Sequence, residues 1–148
     1  MEIGIVGLGR MGASMARRLA RGGAHVIAHD HDRAKFDALA AEDGVESAES
    51  LAALAARLAG ERIILMMLPA GEATENALRE LLPLLSAGDT LVDGANAYYK
   101  DSMARALELS QRGLRYVDAG VSGGVHGLEH GYCLMRSEER RVGKECRL

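Results

Sequence analysis

Residues 2–12, EIGIVGLGRMG, contain the pattern that most strongly indicates the fold. Its first half, Glu2–Val6, is apolar and β-branched, which predicts a β-strand. The glycine pattern GLGRMG of residues 7–12 follows directly, and Met15 and Leu19 continue a helical spacing beyond it. The glycines therefore join a strand to a helix, which is the context that a Gly-x-Gly-x-x-Gly pattern needs to bind the pyrophosphate of a dinucleotide.

Each glycine of this loop has a separate steric role in such a site. Gly7 permits a tight turn, Gly9 lets a pyrophosphate approach the backbone, and Gly12 allows the helix to pack closely on the strand. The N–H groups near Arg10, Met11 and Gly12 then face an anion at a helix N-terminus. A structural strand–helix turn without a ligand is the alternative interpretation of the same residues.

Strand-like and helix-like runs alternate along the rest of the chain. Apolar runs predict strands at 25–29, 44–46, 62–68, 90–93, 115–119 and 132–135. Helical spacing predicts helices at 34–41, 51–58, 78–85 with an interruption at Pro83, and 103–113. This alternation implies right-handed βαβ crossovers, so we expect an α/β protein with a Rossmann-type, doubly wound and mostly parallel sheet.

Length and composition exclude several classes of protein. The 148 residues fit one domain, and their 48% apolar content is too high for a disordered chain. The formal net charge of −3 argues against nucleic acid as a partner. The longest apolar run, residues 63–68, is too short to span a bilayer, so no membrane partner is expected. No signal peptide is visible and the two cysteines form no disulfide framework, so a cytoplasmic location is expected.

The acidic residue after the second strand bears on the choice of cofactor. Asp30 stands where a carboxylate bonds the ribose 2′-hydroxyl of NAD, and a 2′-phosphate would meet its like charge there. Arg33 and Lys35 are nearby basic residues that offer compensation, so we expect NAD to be preferred while NADP stays possible. The alternative role for Asp30 is that of an N-cap or a turn residue.

Polar residues follow two later strands, at the edge where open α/β sheets bind ligands. The Asn96 amide both donates and accepts, which suits holding a substrate hydroxyl beside a nicotinamide. Ser122, Gly123 and Gly124 offer a hydroxyl and bare N–H groups for a carboxylate and hydroxyls. The plainer alternatives are a left-handed or capping asparagine and a flexible glycine turn.

Other chemically reactive residues carry weaker predictions. His126 and His130 have the spacing of two metal ligands on a helix, but the surrounding glycines oppose a helix and no third ligand completes a set, so no metal is expected. Cys133 is expected to be a buried small apolar side chain rather than a nucleophile. Tyr98 and Lys100 lack the spacing of a Tyr-x-x-x-Lys dehydrogenase pair, and Tyr98 is expected to pack.

Four segments together resemble one enzyme family. They are GLGRMG (7–12), MLPAGEAT (67–74), LVDGANAY (91–98) and YVDAGVSGGVHGLEHGYCLM (116–135). They resemble the 6-phosphogluconate dehydrogenases, and more narrowly the shorter bacterial type that is often NAD-linked, within the β-hydroxyacid dehydrogenase superfamily. The resemblance covers residues 1–135. Its most specific part is 122–135, because many dinucleotide-binding proteins share the first motif.

The resemblance implies a function and a set of contacts. The implied reaction is oxidative decarboxylation of 6-phosphogluconate, a phosphorylated sugar acid, to ribulose 5-phosphate and CO2 with hydride transfer to NAD or NADP. The family pattern places Leu68, Pro69 and Asn96 on the cofactor, and Asn96 with Ser122–Gly124 on the substrate. It also implies a homo-oligomeric full-length protein whose catalytic lysine and glutamate lie in a helical domain beyond this one. Two other interpretations stay open: a different β-hydroxyacid dehydrogenase, acting on 3-hydroxyisobutyrate or tartronate semialdehyde, and a non-catalytic dinucleotide-binding module.

The last thirteen residues break the pattern. The segment RSEERRVGKECRL (136–148) has eight charged residues and almost no apolar ones. Residues 136–146 resemble the translation of a common sequencing adapter, whose first codons encode Arg-Ser-Glu-Glu. We therefore expect the natural dinucleotide-binding domain to be residues 1–135, the helical domain to be absent from this chain, and Lys144 to have no catalytic role.

Overall fold

The sheet at the centre of the fold contains seven strands. The structure, a computed structural model, describes residues 1–39 and 42–137. The strands are β1 (Glu2–Val6), β2 (His25–His29), β3 (Val45–Ser47), β4 (Ile63–Met66), β5 (Thr90–Asp93), β6 (Arg115–Ser122) and β7 (Cys133–Ser137). Their order is β3-β2-β1-β4-β5-β6-β7, and all neighbours are parallel except β6 and β7. This is the expected Rossmann-type, doubly wound α/β fold.

Helices connect the strands and bury apolar side chains against the sheet. They are α1 (Arg10–Arg21), α2 (Arg33–Asp37), α3 (Leu51–Arg57), α4 (Glu72–Leu81), α5 (Tyr99–Gln111) and α6 (Gly127–His130). Two groups of buried apolar residues form the core, one around Ile64 and Leu81 and the other around Ile5 and Met15. No helix among the described residues is both long and apolar enough to cross a membrane.

Two helices differ in extent from the prediction made from the sequence. Pro83 lies in a 3-10 turn, Leu82–Leu84, that follows α4, because a proline inside a helix removes one hydrogen bond and clashes with the preceding turn. The helix predicted at 34–41 is observed as the shorter α2, and residues 40 and 41 lie outside the described ranges.

The strand predicted to end at residue 119 continues to Ser122. Gly120 pairs with Met135, and Ser122 pairs with Cys133, so the antiparallel neighbour β7 extends β6 beyond the other strands. Arg136 and Ser137, from the segment predicted to be non-native, continue β7, and residues 138–148 lie outside the described part.

The prediction that glycines prevent a helix around His126 and His130 is wrong. His126 ends a 3-10 turn and His130 ends α6. The glycines delimit these short turns instead of breaking them, because Gly123 before the first turn and Gly131 after α6 have positive φ values of 139° and 98°.

Two side chains that were expected to be packed are exposed. Cys133 is exposed. It lies on β7, the edge strand next to β6, where few residues pack against its side chain. Tyr98 precedes α5 and is 56% exposed, with its ring edge-on to Tyr99 at a centroid distance of 4.9 Å. Both predictions of burial are therefore wrong.

Candidate functional site

The carboxyl ends of the parallel strands bring the predicted site residues to one edge of the sheet. β1 and β4 are central neighbours, with β2 and β3 on one side and β5 and β6 on the other. Such a switch point is where open α/β sheets bind ligands. The glycine loop follows β1, Leu68 and Pro69 follow β4, Asn96 follows β5, and Ser122 ends β6.

Close backbone contacts shape the glycine loop. Gly7 has a φ of 92°, and its N–H donates to the His29 carbonyl at 2.9 Å. A Cβ on Gly12 would lie 2.0 Å from the carbonyl oxygen of Gly7. α1 can therefore begin this close to β1 only if residue 12 has no side chain.

Gly9, unlike Gly12, borders open space. Among the described residues, no heavy atom lies within 4 Å of the position that its Cβ would take, and its φ of −62° is open to any residue. Gly9 is the N-cap of α1 and has no side chain to accept from the first turn, which begins at Arg10. The open space thus adjoins the positive end of a helix dipole, which fits the pyrophosphate of a dinucleotide.

Asp30 follows β2 and is bound to the glycine loop. Its Oδ2 accepts from the Leu8 N–H at 2.7 Å, its Oδ1 accepts from the Asp32 N–H at 2.9 Å, and its side chain is 4% exposed. Burial alone would raise the pKa of Asp30, but these N–H groups and the charge of Lys35 outweigh burial and hold the pKa below its ordinary value. A fixed, ionised carboxylate therefore stands at the end of β2.

Asp30 and Asp32 have different roles in the structure. Asp32 caps α2, whereas Asp30 forms the turn before it and the contact to the glycine loop. A carboxylate has roughly four acceptor positions, and Asp30 uses two for backbone N–H groups and one for Lys35 Nζ, which leaves one for a ribose hydroxyl. Lys35 Nζ lies 3.5 Å from Asp30 Oδ1, so its charge already faces this carboxylate, while Arg33 pairs within α2.

The loop after β4 packs against the glycine loop. A Cβ on Gly7 would lie 2.8 Å from Leu68 Cδ2, so the two loops are in contact at this point. The Pro69 carbonyl accepts from the hydroxyl of Thr74, which is fully buried, at 2.9 Å. Leu68 and Pro69 are therefore held beside the glycine loop by the first turn of α4.

The loop after β5 holds Asn96 in a left-handed conformation. In the described part of the chain, Asn96 is the one non-glycine residue with positive φ, at 54°. Asp93 Oδ1 accepts from the Ala95 N–H at 2.9 Å, and the Gly94 N–H donates to the Met66 carbonyl at 2.9 Å. The left-handed asparagine is thus observed, and its exposed amide stays available to a ligand.

The Ser-Gly-Gly turn lies at the end of β6. Ser122 is exposed, and Gly123 and Gly124 have φ values of 139° and 49°, which favour glycine. A Cβ on Gly127 would lie 2.1 Å from the ring of Tyr132, so the segment after the turn folds tightly onto the start of β7. Asp93 of β5 pairs with Asp118 of β6, which places this turn on the same edge as the Asn96 loop.

Two arginines whose roles were not predicted from the sequence fasten the segments that carry the site residues. Arg18 Nη1 on α1 donates to the carbonyls of Leu128 and Glu129, in α6, at 3.0 and 3.4 Å. Arg105 on α5 donates to Asp93, beneath the Asn96 loop. Arg105 shares a helical face with the buried Leu109, so a charged residue on an apolar face was the signal that could have revealed it.

Solved structures share this fold. The 6-phosphogluconate dehydrogenase of Plasmodium falciparum superposes with a TM-score of 0.85 at 23% identity, over 92% of this chain and 30% of that one. The 3-hydroxyisobutyrate dehydrogenase of Mycobacterium tuberculosis superposes with a TM-score of 0.82 at 25% identity, over 94% of this chain and 47% of that one.

Sequence relatives identify the family. Residues 2–147 match the family model for the NAD binding domain of 6-phosphogluconate dehydrogenase. Over 135 residues the chain is 41% identical to the NAD(+)-dependent, decarboxylating 6-phosphogluconate dehydrogenase of Haloferax volcanii, covering 91% of this chain and 44% of that protein. The chain spans less than half the length of the curated relatives it matches. It belongs to the 6-phosphogluconate dehydrogenase family and contains that family's NAD-binding domain.

Proposed function

We propose that this chain binds NAD and the hydroxy-acid end of 6-phosphogluconate for a decarboxylating dehydrogenase. The observation that carries the proposal is the meeting of three loops at one edge of the sheet: the glycine loop, the Asn96 loop and the Ser-Gly-Gly turn. A module that only bound a dinucleotide would need the first loop and Asp30. An exposed left-handed asparagine and an exposed serine beside them favour a second, polar ligand.

On the cofactor side, each group has a role that suits its position. The N–H groups near Arg10, Met11 and Gly12 hold the pyrophosphate, and the missing side chain of Gly9 leaves room for it. Asp30 accepts from a ribose hydroxyl with a remaining oxygen lone pair. When bound, the nicotinamide accepts the hydride, and the protein supplies its binding and orientation.

On the substrate side, polar groups orient the hydroxy acid. Asn96 donates to or accepts from the hydroxyl at the carbon that loses hydride, while Leu68 and Pro69 line the nicotinamide end of the cleft. The hydroxyl of Ser122 and the N–H groups of Gly123 and Gly124 hold the carboxylate and neighbouring hydroxyls.

The fixed charge of Asp30 supports NAD over NADP. A 2′-phosphate would place like charges close together, at a cost of up to about 4 kcal/mol per charge pair at ~4 Å and an effective dielectric of ~20, before screening. Lys35 offsets part of this repulsion because its ammonium already faces Asp30. We therefore expect tighter binding of NAD(H), with NADP(H) as a weaker ligand.

Proton transfer is the part of the reaction that the family resemblance assigns to a helical domain. A general acid or base typically contributes ~10²–10⁴ in rate, so losing both the lysine and the glutamate reduces the rate by about 10⁴–10⁸. A polypeptide that is limited to residues 1–148 should therefore bind NAD without measurable oxidation of 6-phosphogluconate.

The decisive experiment uses a longer protein that carries this domain followed by its natural continuation. NADH formation and CO2 release are measured with 6-phosphogluconate and 3-hydroxyisobutyrate, whereas NADH consumption is measured with tartronate semialdehyde, because its aldehyde accepts hydride. We expect turnover with 6-phosphogluconate and stoichiometric CO2. Turnover of one of the other two acids alone would instead favour a different β-hydroxyacid dehydrogenase, the second candidate, which the fold shared with 3-hydroxyisobutyrate dehydrogenase supports.

A further inference from the structure

We infer that Arg105 is a positioning residue that, together with the Tyr116 hydroxyl, orients Asp93 and so sets the backbone of the Asn96 loop. The inference deepens the proposed function and rests on it in one respect, because it gives the conformation of Asn96 a purpose at the nicotinamide. Arg105 itself lies beneath the edge of the sheet, in α5, and is 7% exposed.

Asp93 is the link between the arginine and the loop. The side chain of this last residue of β5 is fully buried, and its two oxygens face different ways. Oδ2 accepts from Arg105 Nη1 at 3.1 Å and from the Tyr116 hydroxyl at 2.7 Å. Oδ1 accepts from the Ala95 N–H at 2.9 Å, one residue before Asn96. The orientation of this single carboxylate therefore fixes where the left-handed turn begins.

Arg105 also reaches the neighbouring loop. Its Nε donates to Glu75 Oε1 at 2.9 Å, and Glu75 lies in the first turn of α4, just after the Pro69 turn. Burial alone would lower the pKa of Arg105, but its bonds to Glu75 raise that pKa above the ordinary value, so the guanidinium is charged at every working pH. One buried cation thus joins the two loops that follow β4 and β5.

The energetics favour a positioning role over a purely stabilising one. Burying an ion pair costs desolvation, and apolar residues of similar volume often stabilise a core as well or better. Asparagine tolerates the left-handed conformation but does not enforce it, so the surroundings of Asn96 have to select that conformation. Here the buried charges converge on Asp93, whose other oxygen holds the backbone beside the left-handed Asn96. The network therefore maintains a loop conformation that hydrophobic packing alone does not specify.

The test compares two variants with matched controls on the 148-residue chain. Tyr116→Phe removes one hydrogen bond to Asp93 and keeps the ring, while Arg105→Met removes the cation. Tyr99→Phe changes an exposed tyrosine of the same helix as Arg105, and Arg112→Met removes an exposed arginine that pairs with Glu108 on that helix. Arg105→Lys retains the charge and serves as the conservative variant.

The first readout needs no ligand. Hydrogen exchange of the Ala95 amide should become about tenfold faster in Tyr116→Phe, and faster still in Arg105→Met, while β1 amides change less than about twofold. Arg105→Lys should recover part of the protection, and the two controls should match the unmodified chain. Unchanged Ala95 exchange in Tyr116→Phe overturns the inference even if Arg105→Met does not fold.

The second readout separates positioning from general stability. Kd is measured by calorimetry for NADH and for ADP-ribose, which lacks the nicotinamide. Tyr116→Phe should raise the Kd for NADH about 3- to 10-fold and leave that for ADP-ribose within about twofold. Equal weakening of both ligands indicates a merely structural role and overturns the inference. If Asn96→Ala binds NADH like the unmodified chain, the proposed role of Asn96 fails, and Ala95 exchange still decides whether Arg105 sets the loop.

Discussion

At the scale of single residues, Gly9 and Gly12 separate the binding role of the glycine loop from its packing role. Gly9→Ala should weaken NADH binding more than about tenfold, because its Cβ would occupy the open space beside α1, and should leave the melting temperature unchanged. Calorimetry and thermal unfolding measure the two effects. A variant that binds NADH normally would show that no pyrophosphate lies there.

Gly12→Ala provides the complementary result. Its Cβ would lie 2.0 Å from the Gly7 carbonyl oxygen, so α1 must shift away from β1. The free energy of unfolding should fall by about 1–3 kcal/mol, the range for overpacked sites, together with NADH affinity. Urea unfolding measures this loss, and a stability equal to that of Gly9→Ala would contradict the packing role.

Asp30 carries the prediction on cofactor choice. Asp30→Asn keeps an acceptor for the Leu8 N–H and removes the charge, so the ratio of the Kd values for NADPH and NADH should fall about tenfold, or ~1.4 kcal/mol. Asp32→Asn is the matched control, since asparagine caps α2 as well as aspartate does. A ratio that falls equally in both variants would show only a change in overall charge.

At the scale of elements, Arg18 joins the cofactor helix α1 to the segment after the Ser-Gly-Gly turn. Arg18→Met removes its bonds to the carbonyls at the end of α6, so amides in residues 124–131 should exchange about tenfold faster. NADH affinity should stay within about twofold, because the pyrophosphate site lies at the other end of α1. Arg17→Met, which removes a pair with Glu42, is the control and should leave those amides unchanged.

Ion pairs at the opposite edge of the sheet should make the free energy of unfolding depend on pH. His25 on β2 lies 2.8 Å from Glu46 and 3.4 Å from Glu2, and its hydrogen bonds to these two carboxylates raise its pKa. The pKa of Glu2 is lowered, chiefly by the Ala59 N–H and then by His25. The His25 contribution to stability is therefore complete below its unfolded pKa of about 6.5 and is lost as pH rises through the raised value.

The matching experiment is urea unfolding of the unmodified chain and His25→Gln at several pH values. The Glu2 contribution is present above about pH 4.5 and is lost as pH falls further. The advantage of the unmodified chain should thus be largest between about pH 4.5 and 6.5 and smaller at pH 8.5. An advantage that grows with rising pH would reverse the expected sign. NADH binding should be unaffected by this substitution.

At the scale of the whole molecule, the parallel sheet could be predicted because each central strand is a local apolar run. Ile63–Met66 is buried by helices on the sheet and needs no alternation, so its sequence alone identifies it. The antiparallel β7 could not be predicted in the same way. Its direction depends on pairing of Ser122 with Cys133, and the glycines between them read locally as an irregular turn.

In the candidate site, too, some features could be predicted from the local sequence, while others depend on contacts between distant residues. The positions of Gly7–Gly12, Asp30 and Asn96 follow from motifs placed at strand ends. The bond from Leu8 to Asp30 and the network of Asp93 with Arg105 join residues 22 and 12 positions apart, through tertiary packing that no spacing rule contains. The sequence therefore predicts the residues that contact the ligand better than it predicts the residues that hold those contact residues in place.

Calorimetric titration of the 148-residue chain with NADH, NADPH and ADP-ribose shows whether the glycine loop is the pyrophosphate site. We expect one binding site per chain, tighter binding of NADH than of NADPH, and binding of all three ligands that is weakened more than about tenfold in Gly9→Ala. Absence of NADH binding by the folded chain, or equal binding by Gly9→Ala, would contradict the assignment of the glycine loop as the pyrophosphate site.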